Sequence, residues 1–289
     1  EFPPMYRKSF VPRTSKVEDA VPIISIGRYG SMVWRDRPSD DAILAMLKSA
    51  KTVIRLALQD LGPVCIPGTK TPLPGCVWPK EYLSALGQVI WQRGVDVEIA
   101  LSNPGSIPAG LGATEACYGN GWSCVDVAAE IIKTIKKQFP DADDEQLREK
   151  VTDNLRVCFI RGGLGKEWPD GMTLGMHAKH FIIDDVCAYI GSQNLYVCDL
   201  AEWGVVIDHE ETTEQMLQEY WHPMWQSSYT QEDCNVQEVM DGLDIDRDGE
   251  EGPGYFDDDK KLEAAARHGS IIPVAVHDFY GNDEDEPSM

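Results

Sequence analysis

"MHAKHFIIDDVCAYIGSQNLY", residues 176–196, decides how the rest of the chain is read. Its apolar residues have strand character, and successive side chains of a strand point to opposite faces. His177, Lys179, Phe181 and Ile183 therefore share one face, and Ala178, His180 and Ile182 the other. Asp184 and Asp185 fit a turn, and the returning strand ends with Ser192 and Asn194, again two apart and on a common face. A hairpin paired in this way collects a small polar cluster at one end of an apolar sheet. The Lys179 ammonium, an amide donor from Asn194 and the Ser192 hydroxyl suit the oxygens of a phosphoryl group. His177 adds a group that titrates near neutral pH. Taken as residues alone, a histidine and a lysine near a strand end are equally a pair of solvated edge residues.

Outward from the hairpin, helix and strand patterns alternate. "SDDAILAMLKSA" (39–50) has a Ser/Asp helix start and leads to the strand "TVIRLAL" (52–58); "PKEYLSALGQVIWQRG" (79–94) leads to "VDVEIALS" (95–102). Two further helical stretches, "VDVAAEIIKTIKKQF" and "DEQLREKV", precede the strand "LRVCFIR" (155–161). After the hairpin come the strand "WGVVID" (203–208) and a helix, "TTEQMLQEYWHPMW" (212–225), whose aromatic stripe reads as core packing. The expected fold class is α/β, a mixed sheet sandwiched between helices and followed by an acidic tail. The expected division is an irregular segment over 1–38, a catalytic half-domain over 39–230 and a separate acidic unit over 231–289.

Composition narrows the function. The 289 residues are 43% hydrophobic and can bury a large core. No apolar run approaches the roughly 18 residues that a membrane-spanning helix needs. The start, "EFPPMYRKSF", has neither an initiator Met nor a signal-peptide apolar region, which reads as a processed, trimmed or excerpted chain. The net charge is −22, and residues 231–289, with 18 acidic and 4 basic side chains, contribute −14 of it. An anionic surface repels a nucleic-acid backbone, so nucleic acid is not an expected partner.

Eight cysteines include two locally spaced pairs, Cys65 with Cys76 and Cys117 with Cys124. Both are read as loop-closing disulfides, which points to a secreted or lumenal setting. In the tail, Asp244, Asp246 and Asp248 occupy positions 1, 3 and 5 of a calcium-loop pattern, with Gly249 at position 6. Position 12 is Tyr255, where a bidentate Glu belongs, so Ca2+ there competes with a plain solvated tail.

"HAKHFIIDDVCAYIGSQN" matches H-x-K-x4-D-x6-G-S-x-N at every fixed position, the signature of the phospholipase D superfamily. Together with "LALQDLGPVCIP", "VDVEIALSNPG" and "LAEWGVVI", it resembles the second half of secreted actinomycete-type phospholipases D over roughly residues 39–228. The resemblance implies phosphodiester cleavage in two steps. One histidine attacks phosphorus to form a phosphohistidine, and another protonates the leaving alcohol and then activates water or an acceptor alcohol. It implies His177 as the acid/base, Lys179 and Asn194 as holders of the phosphoryl oxygens, and Glu202 in place of the usual Asp that orients a histidine. Asp184 and Gly191 are implied as structural members of the motif. No cofactor is required by that chemistry, and contact with a membrane would be peripheral.

Such a site uses two copies of the motif, and this chain holds one: His180, His209, His222, His268 and His277 have no Lys two residues on. The expected completion is a companion chain carrying the first motif, with a homodimer as the alternative. The leading expectation is a phospholipase D acting on a phospholipid. The alternatives are a phosphodiesterase or nuclease of the same superfamily, or a non-catalytic lipid-head-group-binding or toxin subunit.

Overall fold

The computed structural model describes residues 21–29, 37–65, 70–72, 74, 76–104, 106, 122–196 and 201–245. The first element is strand β1, Ile23–Tyr29. Helix α1 (Pro38–Ser49) leads to β2 (Val53–Leu58), and α2 (Lys80–Arg93) to β3 (Asp96–Leu101). Helices α3 (Cys124–Gln138) and α4 (Asp144–Asn154) precede β4 (Leu155–Phe159). The hairpin supplies β5 (Lys179–Ile183) and β6 (Cys187–Gly191), and β7 is Ala201–Asp208. Then follow α5 (Glu210–Met216), a π-helical turn (Leu217–Trp221), α6 (His222–Ser228) and α7 (Val236–Gly242).

The elements start and stop for local reasons. Ser123 and Asp126 form a reciprocal capping box at the start of α3, and Asp143 caps α4. Gly94 closes α2 in the left-handed conformation. The wide turn in the aromatic helix lies just before Pro223, which has no N–H to continue the ladder, and the His222 N–H instead bonds to the Leu217 carbonyl.

The seven strands form one sheet in the order β1-β7-β6-β5-β2-β3-β4. β2, β3 and β4 are mutually parallel, and every other neighbour pair is antiparallel. On one face a large core is closed by α1 to α4 and α7 around Leu56, Phe181 and Tyr189. On the other, Ala57, Ile182 and Ala188 pack against Leu217 and Trp221 of the aromatic helix, which makes that stripe core. The expected α/β sandwich is therefore the observed one. Phe181 and Tyr189 stack with ring centroids 4.7 Å apart, and full burial of a side chain of this size stabilises by about 1.5–3 kcal/mol.

The topology also sets one edge apart. Leu58, Leu101 and Phe159 end the parallel strands there, Lys179 begins β5 opposite Leu58, and β6 ends and β7 begins at the same level.

Three sequence expectations are corrected. Residues 1–38 are not wholly irregular, because Ile23–Tyr29 pairs with β7 as the edge strand. The acidic unit does not begin at 231, because Val236, Val239, Met240 and Ile245 are buried in the main core. Cys65, Cys76 and Cys124 are free thiols, which removes the pairing read from their spacing. Cys65 donates its S–H to the Pro63 carbonyl, and burial pushes it up to about 11. Cys117 lies outside the described residues, as do Asp246, Asp248 and Gly249 of the calcium-loop pattern. Asp244 sits in a turn after α7 with φ 55.

At the opposite edge, Asp184 and Asp185 turn the hairpin with φ 53 and 62. The Asp184 carboxylate accepts from the backbone N–H groups of Lys51, Thr52 and Val53 and from the Thr52 hydroxyl, at 2.8–3.1 Å. Burial would raise this acid, but the backbone donors outweigh it and hold it below the usual carboxylate range. Asp184→Asn keeps the turn and weakens four bonds to a charged acceptor. It should cost about 1–3 kcal/mol in urea denaturation at pH 7. A depressed acid contributes fully above its unfolded pKa and loses that contribution as pH falls, so the gap from wild type should close in strongly acidic buffer.

Candidate active site

Lys179 is buried, and its Nζ donates to Gln59 Oε1 and to the His177 carbonyl, both at 3.0 Å. Burial lowers its pKa to about 8, against the pull of Glu202 and Asp60. His177, two residues before β5 begins, is exposed. Partial burial first, and the Lys179 charge second, depress its pKa below that of a free imidazole. His180 faces the other way, against Tyr220, and burial alone brings it down to about 4; it is a neutral core histidine. The two histidines of "HAKH" thus have opposite fates, as strand parity requires.

Asn194 is buried, and its Nδ2 donates to the Tyr196 hydroxyl at 2.9 Å. Its backbone N–H favours the charged form of Glu202. Burial pushes Glu202 up to about 7, although Arg28 and Lys179 both favour its charge. The Ser192 hydroxyl spends its bonds on the backbone of Trp203, accepting its N–H at 3.0 Å and donating to its carbonyl at 3.3 Å, which ties β6 to β7. Gly191 faces Gly204 across the same strands, and a Cβ at either position would overlap the Tyr189 ring. Asp184, at the far end of β5, is roughly 17 Å from Lys179 at about 3.3 Å per residue, and it serves the hairpin rather than the cluster. His177, Lys179, Asn194 and Glu202 therefore gather at one sheet edge, while Ser192, Gly191 and Asp184 hold the strands that carry them.

Sequence reasoning passed over the groups beneath this cluster. Arg28 of β1 is 3% exposed and faces Asp40 and Glu202, each at 3.3 Å. Tyr82 donates to Asp40 at 2.5 Å, and Gln193, the variable residue of the G-S-x-N run, donates to Asp40 at 2.9 Å and accepts from Ser39. Burial and the Asp40 charge push the Tyr82 phenol up, so it stays a donor. Beside the network lies a cleft of about 210 Å³ lined by Arg28, Asp40, Trp78, Tyr82 and Tyr196. A local pattern cannot reveal such partners, because β1, α1, α2 and the hairpin are far apart in sequence.

No family model matches the chain. It is similar to phospholipase D of Streptomyces antibioticus, 26% identical over 193 residues, which cover 66% of this chain and 32% of that protein. The chain thus spans about a third of the length of this curated relative, and the resemblance to phospholipase D read from the motif extends well beyond it. Among solved structures, Nuc of Salmonella typhimurium, described as a phospholipase D family member, overlays with TM-score 0.41 at 18% identity. The overlay covers 72% of this chain and 97% of that one. Phosphatidylserine synthase of Haemophilus influenzae overlays with TM-score 0.46 at 12% identity, covering 89% of this chain and 49% of that one.

Removing one member of a buried ion pair leaves the others charged and uncompensated. Arg28→Gln should lower stability by about 3–5 kcal/mol in urea denaturation at pH 8. The loss should be smaller at pH 6, where Glu202 takes up its proton and no longer requires the guanidinium.

Proposed function

We propose that this chain supplies one half of a two-histidine site that hydrolyses a phospholipid phosphodiester, with transfer to an acceptor alcohol as a side reaction. The observation that carries the reading is the meeting, at one sheet edge, of an exposed imidazole with the buried ammonium of Lys179 and the amide of Asn194. The similarity to a phospholipase D in sequence supports it. A second motif-bearing unit, either a companion chain or a second copy, contributes the other histidine.

The reaction then runs in two displacements. The second unit's histidine attacks phosphorus, a P–N bond forms, and the P–O bond to the head-group alcohol breaks as His177 delivers its proton to the departing oxygen. Water or another alcohol next gives its proton to His177 and attacks phosphorus. The P–N bond breaks, releasing the phosphatidyl product and restoring both histidines. Lys179 and Asn194 face the non-bridging oxygens, whose charge grows in the transition state. Glu202 sustains the Lys179 charge before substrate arrives. No step is routed through a metal or cofactor.

With an activated phosphodiester and an alkaline denaturing quench, His177→Asn in the completed assembly should turn over at least ~100-fold more slowly. It should still accumulate acid-labile phosphate on the second unit's histidine. Label on His177 itself would reverse the assignment of roles. If the assembly releases no choline from phosphatidylcholine mixed micelles, and His177→Ala behaves identically, the phospholipase reading fails.

Lys179 must be protonated to hold phosphate, so activity should fall as pH rises through about 8. Glu202→Gln removes a charge that holds that pKa up, and should move this alkaline limb to lower pH in a kcat/KM profile.

A further inference from the structure

The segment between β4 and His177 is a protruding hairpin. Gly162 and Gly165 exchange two backbone bonds, at 2.8 and 3.0 Å, and the Trp168 N–H donates to the Met172 carbonyl at 2.8 Å. Its base is fastened: Asn103 donates to the carbonyls of Ile160 and Leu174, and the Ser102 hydroxyl accepts the Met176 N–H. Asp233 clamps Arg161 and Lys166 from the side. The tip, by contrast, offers its apolar side chains to solvent, with Leu164 67%, Trp168 52% and Met172 46% exposed.

The placement is not random. Leu164, Trp168 and Met172 leave and return at the sheet edge that carries Lys179. Val77, just before α2, and Trp203, near the start of β7, are also exposed at that edge. Ile23, Ile24 and Val186 are at the opposite one. Exposed apolar groups concentrated on the mouth side of a site mark a contact surface.

Shape and charge identify the occupant. The apolar groups stand on a hairpin tip and around a rim rather than on one flat face, and a tryptophan with a methionine and a leucine suits shallow insertion among lipid head groups. Glu167 and Asp170 flank Trp168 and are exposed, and the chain's net charge is −22. Those carboxylates disfavour an acidic protein or an anionic bilayer at the hairpin tip.

We infer that the 162–174 hairpin, with Val77 and Trp203, seats this sheet edge on the surface of a zwitterionic phospholipid bilayer. The inference rests on the phospholipid reading above and places the mouth of the phosphate site at head-group depth.

The test is sedimentation of the completed assembly with phosphatidylcholine vesicles. It compares wild type, a Leu164→Ser, Trp168→Ser, Met172→Ser triple variant and an Ile24→Ser control at the opposite edge. The triple variant should partition at least ~10-fold more weakly, while the control binds as wild type does. Turnover of a water-soluble activated phosphodiester should be unchanged in the triple variant, which shows that the fold and site are intact. Equal vesicle binding by the triple variant overturns the inference. So does loss of the second unit from the variant in native mass spectrometry, which would make the rim an interface between chains. Hairpin-dependent vesicle binding by a wild-type assembly that cleaves no phosphodiester would instead sink the proposed function and leave the docking surface standing.

Discussion

Arg28 carries a guanidinium into a place nearly closed to water, and the arrangement holds because Asp40 and Glu202 face it from two sides. Desolvation makes any one of these charges costly by itself, so each requires the others. The consequence extends beyond β1. Glu202 in turn faces Lys179, Asp40 takes the Tyr82 hydroxyl and the Gln193 amide, and five elements of the fold meet on one balanced set of charges. The setting combines burial, which works against the Lys179 proton, with enough negative charge nearby to sustain it.

The sequence made the middle of the molecule legible and its margins poorly so. Parity within "HAKHFII" separated His177 from His180, because a strand obliges neighbours to face apart whatever lies around them. The parallel strands were readable for a related reason: each is an apolar run that follows a strongly patterned helix. β1 was not, since "IISIGRY" is a short edge strand with Ile23 and Ile24 exposed and gives little amphipathic signal. α7 was hidden by composition, because the acidity of the residues after it masked the buried Val236, Val239 and Met240.

At the site, the motif named the residues and the structure divided their labour. Asp184 and Gly191 stand in the same pattern as His177, yet one binds a β2 backbone at the far edge and the other clears space for Tyr189. A spacing pattern records which residues a fold needs together and is silent on the reason for each. Arg28, Gln59 and Tyr82 escaped notice for the converse reason: their partners come from distant segments, and no local regularity marks them. The cysteines misled because closeness along the chain is only one condition for a bond, and the Cys65 thiol is committed to a carbonyl.

The order of β5, β6 and β7 along the sheet is the order of their synthesis reversed, with each joined to the next as antiparallel neighbours. His177, Lys179, Asn194 and Glu202 therefore come from one continuous stretch of the chain, 177–202. A cluster written that way can be duplicated, fused or exchanged as a cassette without interleaving residues from elsewhere, and only its supporting charges on β1 and α1 must be rebuilt around it.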